Sequence, residues 1–273
     1  MAAKGAEGFE VGFMGYGRMA QAISQGLDRS GLIPYARQAA HDVLPGMLLE
    51  LSRQRGFRAA EGNGELFRLA PLVIVAVKPH QVRQALEDVA QDIGRHLVIS
   101  IAAGVSLRTL SPLLPDEAGL VRVIPNLPAL AGQGLTLACA PRTDPPEFLE
   151  RAKAIFGAVG SVVVLDESLF DLGTAVSGSG PAYFFLVMEA MIRGAVRLGL
   201  SWDTARELVL RTALGSAHAA LAMPDSHLAD LRDQVTSPGG TTAEGLLELE
   251  KGGLTALFQK ALQAASDKGG QLA

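Results

Sequence analysis

V-G-F-M-G-Y-G-R-M-A, running from Val11 to Ala20, decides the fold. Glu10–Met14 reads as a strand and Met19–Leu27 carries helical apolar spacing. Between them stands G-x-G-x-x-A, with Gly15, Gly17 and Ala20 at the fixed positions. In that pattern the first glycine makes a tight turn, the second lets a pyrophosphate approach the backbone, and the small third residue allows close helix–sheet packing. A glycine-rich hexapeptide alone can be a mere turn, but the flanking strand and helix favour a dinucleotide site.

Working outward, Leu72–Val77, Leu97–Ala102, Leu120–Ile124, Leu135–Ala140 and Ser161–Leu165 read as further strands, with a weaker one at Arg37–His41. Several are continuous apolar runs, as expected for strands buried on both faces of a parallel sheet. Pro45–Gln54, Gln81–Ile93 and Phe148–Phe156 have helical spacing. This alternation predicts an α/β chain with a doubly wound Rossmann domain over residues 1–165. After Leu165 the strand pattern stops. Leu169–Thr174, Pro181–Leu198, Asp203–Met223, Leu228–Val235, Ala243–Glu250 and Leu254–Ser266 all read as helices, predicting an all-α domain over residues 166–273. Tyr183–Val196 and Val209–Leu221 are apolar around most of their circumference. One small domain has few places to hide such helices, so a helical homodimer interface is expected, with a dry monomeric bundle as the alternative.

With 48% hydrophobic and 19% charged residues, the 273-residue chain is globular. A net charge of −4 and a pI near 5.8 give no electrostatic case for nucleic acid or an anionic membrane. No segment reads as the roughly 18 to 20 apolar residues of a membrane span. Met1–Glu10 lacks the apolar core of a signal peptide and reads as a short loose tail. The single cysteine, Cys139, lies in an apolar stretch and reads as core filler; a lone thiol fits a reducing compartment, so the expected location is cytoplasmic.

Candidate chemistry lies at the predicted strand ends and in one stretch far downstream. His41 and Asp42 close the second strand. Asp42 can accept a ribose 2′-OH, which favours NADH, whereas His41 or Arg37 can meet a 2′-phosphate, and Asp42 as a solvated turn residue is equally open. A-V-K-P-H, Ala76–His80, places Lys78 where ligands gather outside the carboxyl ends of parallel strands. S-I-A-A-G-V, Ser100–Val105, leaves room for a flat ring. Pro125-Asn126-Leu127-Pro128 is a polar contact or a structural turn, and S-G-S-G-P-A-Y, Ser177–Tyr183, either approaches substrate or lets helices pack. L-R-D-Q-V-T-S-P-G-G-T-T, Leu231–Thr242, places Ser237 as a helix cap and Pro238 in the first turn. Gly239 and Gly240 leave the amides uncovered, and Thr241 and Thr242 add hydroxyls, which together suit a small carboxylate. His218 and His227 have no metal-ligand spacing, so no metal is expected.

In this order the motifs resemble the pyrroline-5-carboxylate reductase family, and the resemblance covers nearly the whole chain after Glu10. It implies an N-terminal Rossmann domain, a helical domain that interlocks with its mate, dimers as the basic unit, and decamers in some members. It implies that Met14, Gly15, Tyr16, Gly17, Arg18 and Met19 hold the pyrophosphate of NADPH or NADH and that Asn63 reaches the adenosine half. Ala76, Val77, Lys78 and Pro79, with Ile101, Ala102 and Ala103, would line the nicotinamide ribose and ring, with Gln234 near the cofactor. Glu167, Thr241 and Thr242 match positions that meet the bound amino acid. Two departures stand out: Leu127 replaces the usual threonine after Pro-Asn, and the His41-Asp42 pair falls where members that prefer NADPH often carry a small hydroxyl residue.

The residues suit that chemistry independently. Reducing a cyclic imine needs a hydride at carbon, a proton on nitrogen and a grip on the carboxylate. Nicotinamide supplies the first, the Thr242 hydroxyl can bond the ring nitrogen as a positioning donor or relay from water, and the Ser237–Gly240 amides can hold the acid. A β-hydroxyacid or arogenate/prephenate-type dehydrogenase would need a lysine or histidine in the helical domain, where Pro181–Leu198 offers only Arg193 and Arg197. A catalytically silent nucleotide sensor is the remaining rival, which a turnover assay separates.

Overall fold

The computed structural model describes residues 8–271, so most of the predicted N-terminal tail lies outside the described residues. The strands are β1 (Val11–Met14), β2 (Gln38–His41), β3 (Arg58–Ala59), β4 (Leu72–Val75), β5 (Leu97–Ser100), β6 (Gly119–Pro125), β7 (Gly134–Cys139) and β8 (Gly160–Val164). They form one eight-stranded sheet in the order β3-β2-β1-β4-β5-β6-β7-β8. The sequence pattern predicts a parallel sheet, and the structure departs from it at one place: β6 and β7 pair antiparallel, with Arg122 opposite Cys139. The short turn at residues 127–131 returns the chain directly beside β6, and a parallel crossover would need a dozen or more residues. β3, two residues long, carries too little pattern to be read from sequence.

Around the sheet run α1 (Arg18–Arg29), α2 (Pro45–Arg55), α3 (Asn63–Leu69), α4 (Val82–Glu87), α5 (Leu107–Leu110), α6 (Pro146–Gly157) and α7 (Phe170–Ser177). Strand alternation divides the core into two layers. Val11, Phe13, Leu72, Ile74, Ile99, Val121 and Val123 face Ile23 and Leu27 of α1, Leu48 of α2 and Ile155 and Phe156 of α6. Val73, Val75, Val98, Leu120 and Leu137 face Leu66 and Phe67 of α3, Leu86 of α4, Leu110 of α5 and Phe170 of α7. Strands buried on both sides explain the continuous apolar runs. β8 is the exception, an edge strand with Val163 and Val164 exposed.

The helices that follow are α8 (Gly180–Arg197), α9 (Trp202–Ala222), α10 (Leu228–Gln234), α11 (Thr241–Lys251) and α12 (Leu254–Gly270). The chain divides into two compact units, residues 8–179 with 265–271 and residues 180–264. The sheet ends at Val164, where the strand pattern stops in sequence, but its unit continues through α7 because Phe170 fills the second layer. In the second unit only Gly180, Ile192, Ala205 and Val209 are buried, while Phe184, Phe185, Leu186, Met191, Leu214 and Leu221 stand exposed. The helical stretch 167–197 is, by length and composition, long and apolar enough to cross a membrane, which the sequence reading did not expect. Only 22% of its most apolar window is buried in a single copy.

Candidate active site

The sheet-containing unit reverses strand order between β1 and β4, so the crevice for a ligand opens outside the carboxyl ends of these strands. Gly15 makes the turn out of β1 with φ of 88°, a conformation that favours glycine. A Cβ there would also press against the Ala76 backbone at 3.0 Å. Bonds from Gly15 N–H to His41 O (2.8 Å) and from Ala76 N–H to Met14 O (2.8 Å) lock the loop between β2 and β4. Gly17 caps α1 with extended backbone, and a Cβ built on it meets nothing within 4 Å. The first-turn amides of α1 therefore face open space, a cradle that a side chain would fill and that a pyrophosphate fits.

The residues expected at the cofactor divide by role. Arg18 and Met19 open α1, Arg18 exposed and Met19 half-buried. Met14 and Tyr16 turn their side chains into the core, and their backbone groups are held within the protein, Met14 O by the Ala76 N–H and Tyr16 O by Gln21 Nε2. The Tyr16 hydroxyl bonds Ser24 Oγ at 2.6 Å, and burial raises its pKa above the ordinary tyrosine value, with the Ser24 hydrogen bond opposing. Asn63 begins α3 with a buried Oδ1 that has no partner, an acceptor awaiting a ligand or water. Ala76, Val77, Lys78 and Pro79 leave β4, with Lys78 and Pro79 exposed. Ile101, Ala102 and Ala103 leave β5, where Ile101 N–H bonds Val75 O at 3.1 Å. Parallel pairing of β1, β2, β4 and β5 brings these groups to one edge of the sheet.

Asp42 lies at that edge and is not a solvated turn residue. Its Oδ2 accepts the Tyr16 N–H at 2.7 Å and its Oδ1 the Leu44 N–H at 3.0 Å. His41 turns its Nδ1 to Ala60 O at 3.2 Å. Asn126 resolves as structural: its amide nitrogen donates to Ser177 O and its oxygen accepts the Leu135 N–H. Leu127 is exposed in the turn after β6.

Glu167 is engaged within the same unit. One oxygen, Oε1, accepts Arg122 Nη1 at 2.7 Å and the Leu107 N–H at 2.6 Å. The Arg122 side chain is only 4% exposed and its guanidinium carbon lies 4.8 Å from the Phe170 ring centre. Sequence reasoning missed Arg122, since an arginine inside an apolar strand is visible only as an interruption of the run. Cys139 is buried beside this pair, and desolvation, helped by the Glu167 charge, pushes its thiol up to about 12.

In the second unit α11 begins at Thr241, and its cap is Gly240 rather than Ser237. Ser237 instead opens a turn: Gly240 N–H bonds Ser237 O at 3.0 Å, with Pro238 next and Gly239 at φ of 69°. That is the residue order of a type II turn, whose third position requires a glycine-like conformation. The turn delivers Thr241 and Thr242 to the first two helical positions, where a helix leaves its amides without internal partners. Ser237, Gly239, Gly240, Thr241 and Thr242 thus converge at one helix end, and Gln234 is the exposed last residue of α10.

A glycine-rich loop at a sheet switch point, followed by a helical unit with an amide-rich helix start, defines a Rossmann-type nicotinamide oxidoreductase. Residues 10–104 match the family model described as NADP oxidoreductase coenzyme F420-dependent, and residues 167–272 match pyrroline-5-carboxylate reductase dimerisation. A pyrroline-5-carboxylate reductase of Methanosarcina acetivorans is 38% identical over 97% of this chain and 98% of its own, and one from Synechocystis is 39% identical over 94% and 95%. The solved pyrroline-5-carboxylate reductase of Coxiella burnetii superposes with a TM-score of 0.91 at 35% identity, covering 97% of this chain and 98% of its own. The Plasmodium falciparum enzyme solved with NADP bound superposes at 0.86 with 30% identity over 97% and 98%. The chain belongs to the pyrroline-5-carboxylate reductase family. A prephenate dehydrogenase of Aquifex aeolicus shares the fold alone, at 13% identity and a TM-score of 0.56.

Proposed function

We propose that this chain reduces L-1-pyrroline-5-carboxylate to L-proline, the last step of proline biosynthesis. The observation that carries this reading is the match to reductases of that name along almost the whole chain. Bound NAD(P)H supplies the hydride. The chain's own part is to hold and orient. The α1 amides grip the pyrophosphate, which the Gly15–Gly17 loop lets approach the backbone, and Asn63 takes the adenosine half. Residues 76–79 and 101–103 form the nicotinamide surface, and the family resemblance makes Gln234 a further cofactor contact. The amides and hydroxyls from Ser237 to Thr242 hold the substrate carboxylate by charge-assisted hydrogen bonds. Thr242 positions the ring nitrogen and relays a proton to it from water, so that carbon gains the hydride and nitrogen the proton.

The functional boundary is placed at 165/166, and the helical part acts as a homodimer. A unit with so few buried residues cannot be stable alone, and its exposed apolar faces exceed what monomers tolerate. The same dimer, rather than lipid, covers stretch 167–197, which begins where the dimerisation match begins. Assembly of dimers into a decamer and a cytoplasmic location complete the reading. Two measurements test it. Loss of reduced-nicotinamide absorbance that depends on added pyrroline-5-carboxylate supports it; no such loss with either cofactor overturns it. Light scattering at a multiple of the 28.5 kDa chain supports the dimer, whereas a fully active 28.5 kDa species refutes it.

A further inference from the structure

The charges at the end of β2 differ in kind from what a 2′-phosphate needs. Asp42 sits there as a fixed anion, its two oxygens bonded to the Tyr16 and Leu44 amides, with Tyr16 one residue before the open Gly17 cradle. A Rossmann site places the adenosine ribose beside that strand end, where a carboxylate accepts the 2′-hydroxyl and repels a 2′-phosphate.

Arg18 and Lys78, exposed at the same edge, serve the pyrophosphate and the nicotinamide ribose in the proposed reading, and the cations nearer β2 are engaged elsewhere. Arg37 precedes β2, roughly 16 Å down the strand at about 3.3 Å per residue, at the opposite edge of the sheet. There its guanidinium meets Glu10 Oε1 at 2.5 Å and Gly8 O at 3.2 Å. His41 turns its ring toward Ala60 O. Arg58, on neighbouring β3, is ion-paired with Glu65 at 2.9 Å. Downstream, Val43, Leu44, Pro45, Gly46 and Met47 carry no positive side chain, and Val43 and Leu44 are exposed. Arg53 and Arg55 lie in the last turn of α2, where Arg55 Nη2 turns to Gln21 Oε1 of α1 at 3.3 Å.

We infer that Asp42 makes this protein an NADH-selective member of its family, excluding NADPH by charge while also holding the glycine-rich loop through the Tyr16 amide. This rests on the proposed reductase reading, since it assigns the cofactor of the same site. Loop support and charge are largely separable: Asp42→Asn keeps an oxygen for the Tyr16 N–H and removes the charge, giving up only the bond from the Leu44 N–H, whereas serine would be too short to hold the Tyr16 N–H.

The test is calorimetric titration of the purified assembly with NADH and NADPH separately, so the readout is Kd rather than turnover. NADH should bind tighter by roughly 10- to 100-fold, the scale of one like-charge contact near a protein surface. In Asp42→Asn the ratio should fall toward unity, chiefly because NADPH binds better. Val43→Arg, at a position 80% exposed, should likewise strengthen NADPH and leave NADH nearly unchanged. NADPH binding as tightly as NADH in the unaltered protein would overturn the inference and leave the reductase reading intact. An unchanged ratio in both variants would also overturn it. Binding of neither dinucleotide would overturn the reductase reading and, with it, this inference.

Discussion

Removing the Glu167 side chain separates two roles that the sequence and the structure assign to it. The resemblance places Glu167 against the bound amino acid, whereas in the structure its carboxylate joins Arg122 and the Leu107 amide. Glu167→Ala would leave the Arg122 guanidinium buried without its carboxylate partner, beside the Phe170 ring and with Nε already lacking a partner. Stripping one partner from a buried ion pair costs about 3–5 kcal/mol. The Glu167 side chain is 29% exposed, so water can partly replace it, and the low end, about 3 kcal/mol, applies here. For a domain of this size that lowers Tm by roughly 6–12 °C, at about 2–4 °C per kcal/mol. Scanning calorimetry at fixed protein concentration reads the effect, because Tm of an oligomer depends on concentration. Glu167→Gln, which keeps an acceptor oxygen, should show a smaller drop. A Tm within about 2 °C of the unaltered protein, together with a large rise in KM for pyrroline-5-carboxylate, would refute the structural role and return Glu167 to the substrate.

Thr242→Val preserves shape and deletes the hydroxyl; turnover should fall on the order of 10- to 1,000-fold with dinucleotide Kd little changed, and normal turnover would remove Thr242 from the mechanism. Gly17→Val adds bulk where nothing stands within 4 Å, so the ligand-free protein should keep its Tm while dinucleotide affinity drops at least about tenfold. Equal affinity would mean the phosphates lie elsewhere. Cys139, with its thiol pushed up to about 12, should resist alkylation at about pH 8 in the folded protein. Because its folded pKa lies above the unfolded value, the stability it contributes is complete below about pH 9 and lost as pH rises toward 12, so Cys139→Ala should flatten the alkaline limb of a Tm–pH profile.

The sheet order was readable where residues alternate strongly between two buried layers, and it failed where geometry rather than pattern decides. β7 has the same apolar character as the parallel strands of the sheet centre, since burial does not record strand direction. The predicted helix 81–93 shrinks to Val82–Glu87 because the chain turns at residues 88–94 before β5, although Val89 and Ile93 remain in the core. At the site, glycines were the most legible residues, since turn and close approach restrict the choice to them. Roles that depend on partners distant in sequence were not legible. Asp42 meets Tyr16 across 26 positions and Glu167 meets Arg122 across 45, and no local pattern encodes either distance. The Ser237 cap was misplaced by three residues because Ser-Pro-Gly-Gly suits a turn as well as a helix start.

In the proposed reaction hydride passes to the imine carbon of a five-membered ring whose carboxylate is held by the chain. The most direct measurement supplies nicotinamide cofactor deuterated at the transferable position of C4, together with pyrroline-5-carboxylate, and locates the label in the product by NMR. The product should be L-proline with one deuterium on the ring carbon that had been doubly bonded to nitrogen. Unlabelled proline, label at another carbon, or no proline at all would contradict that reaction.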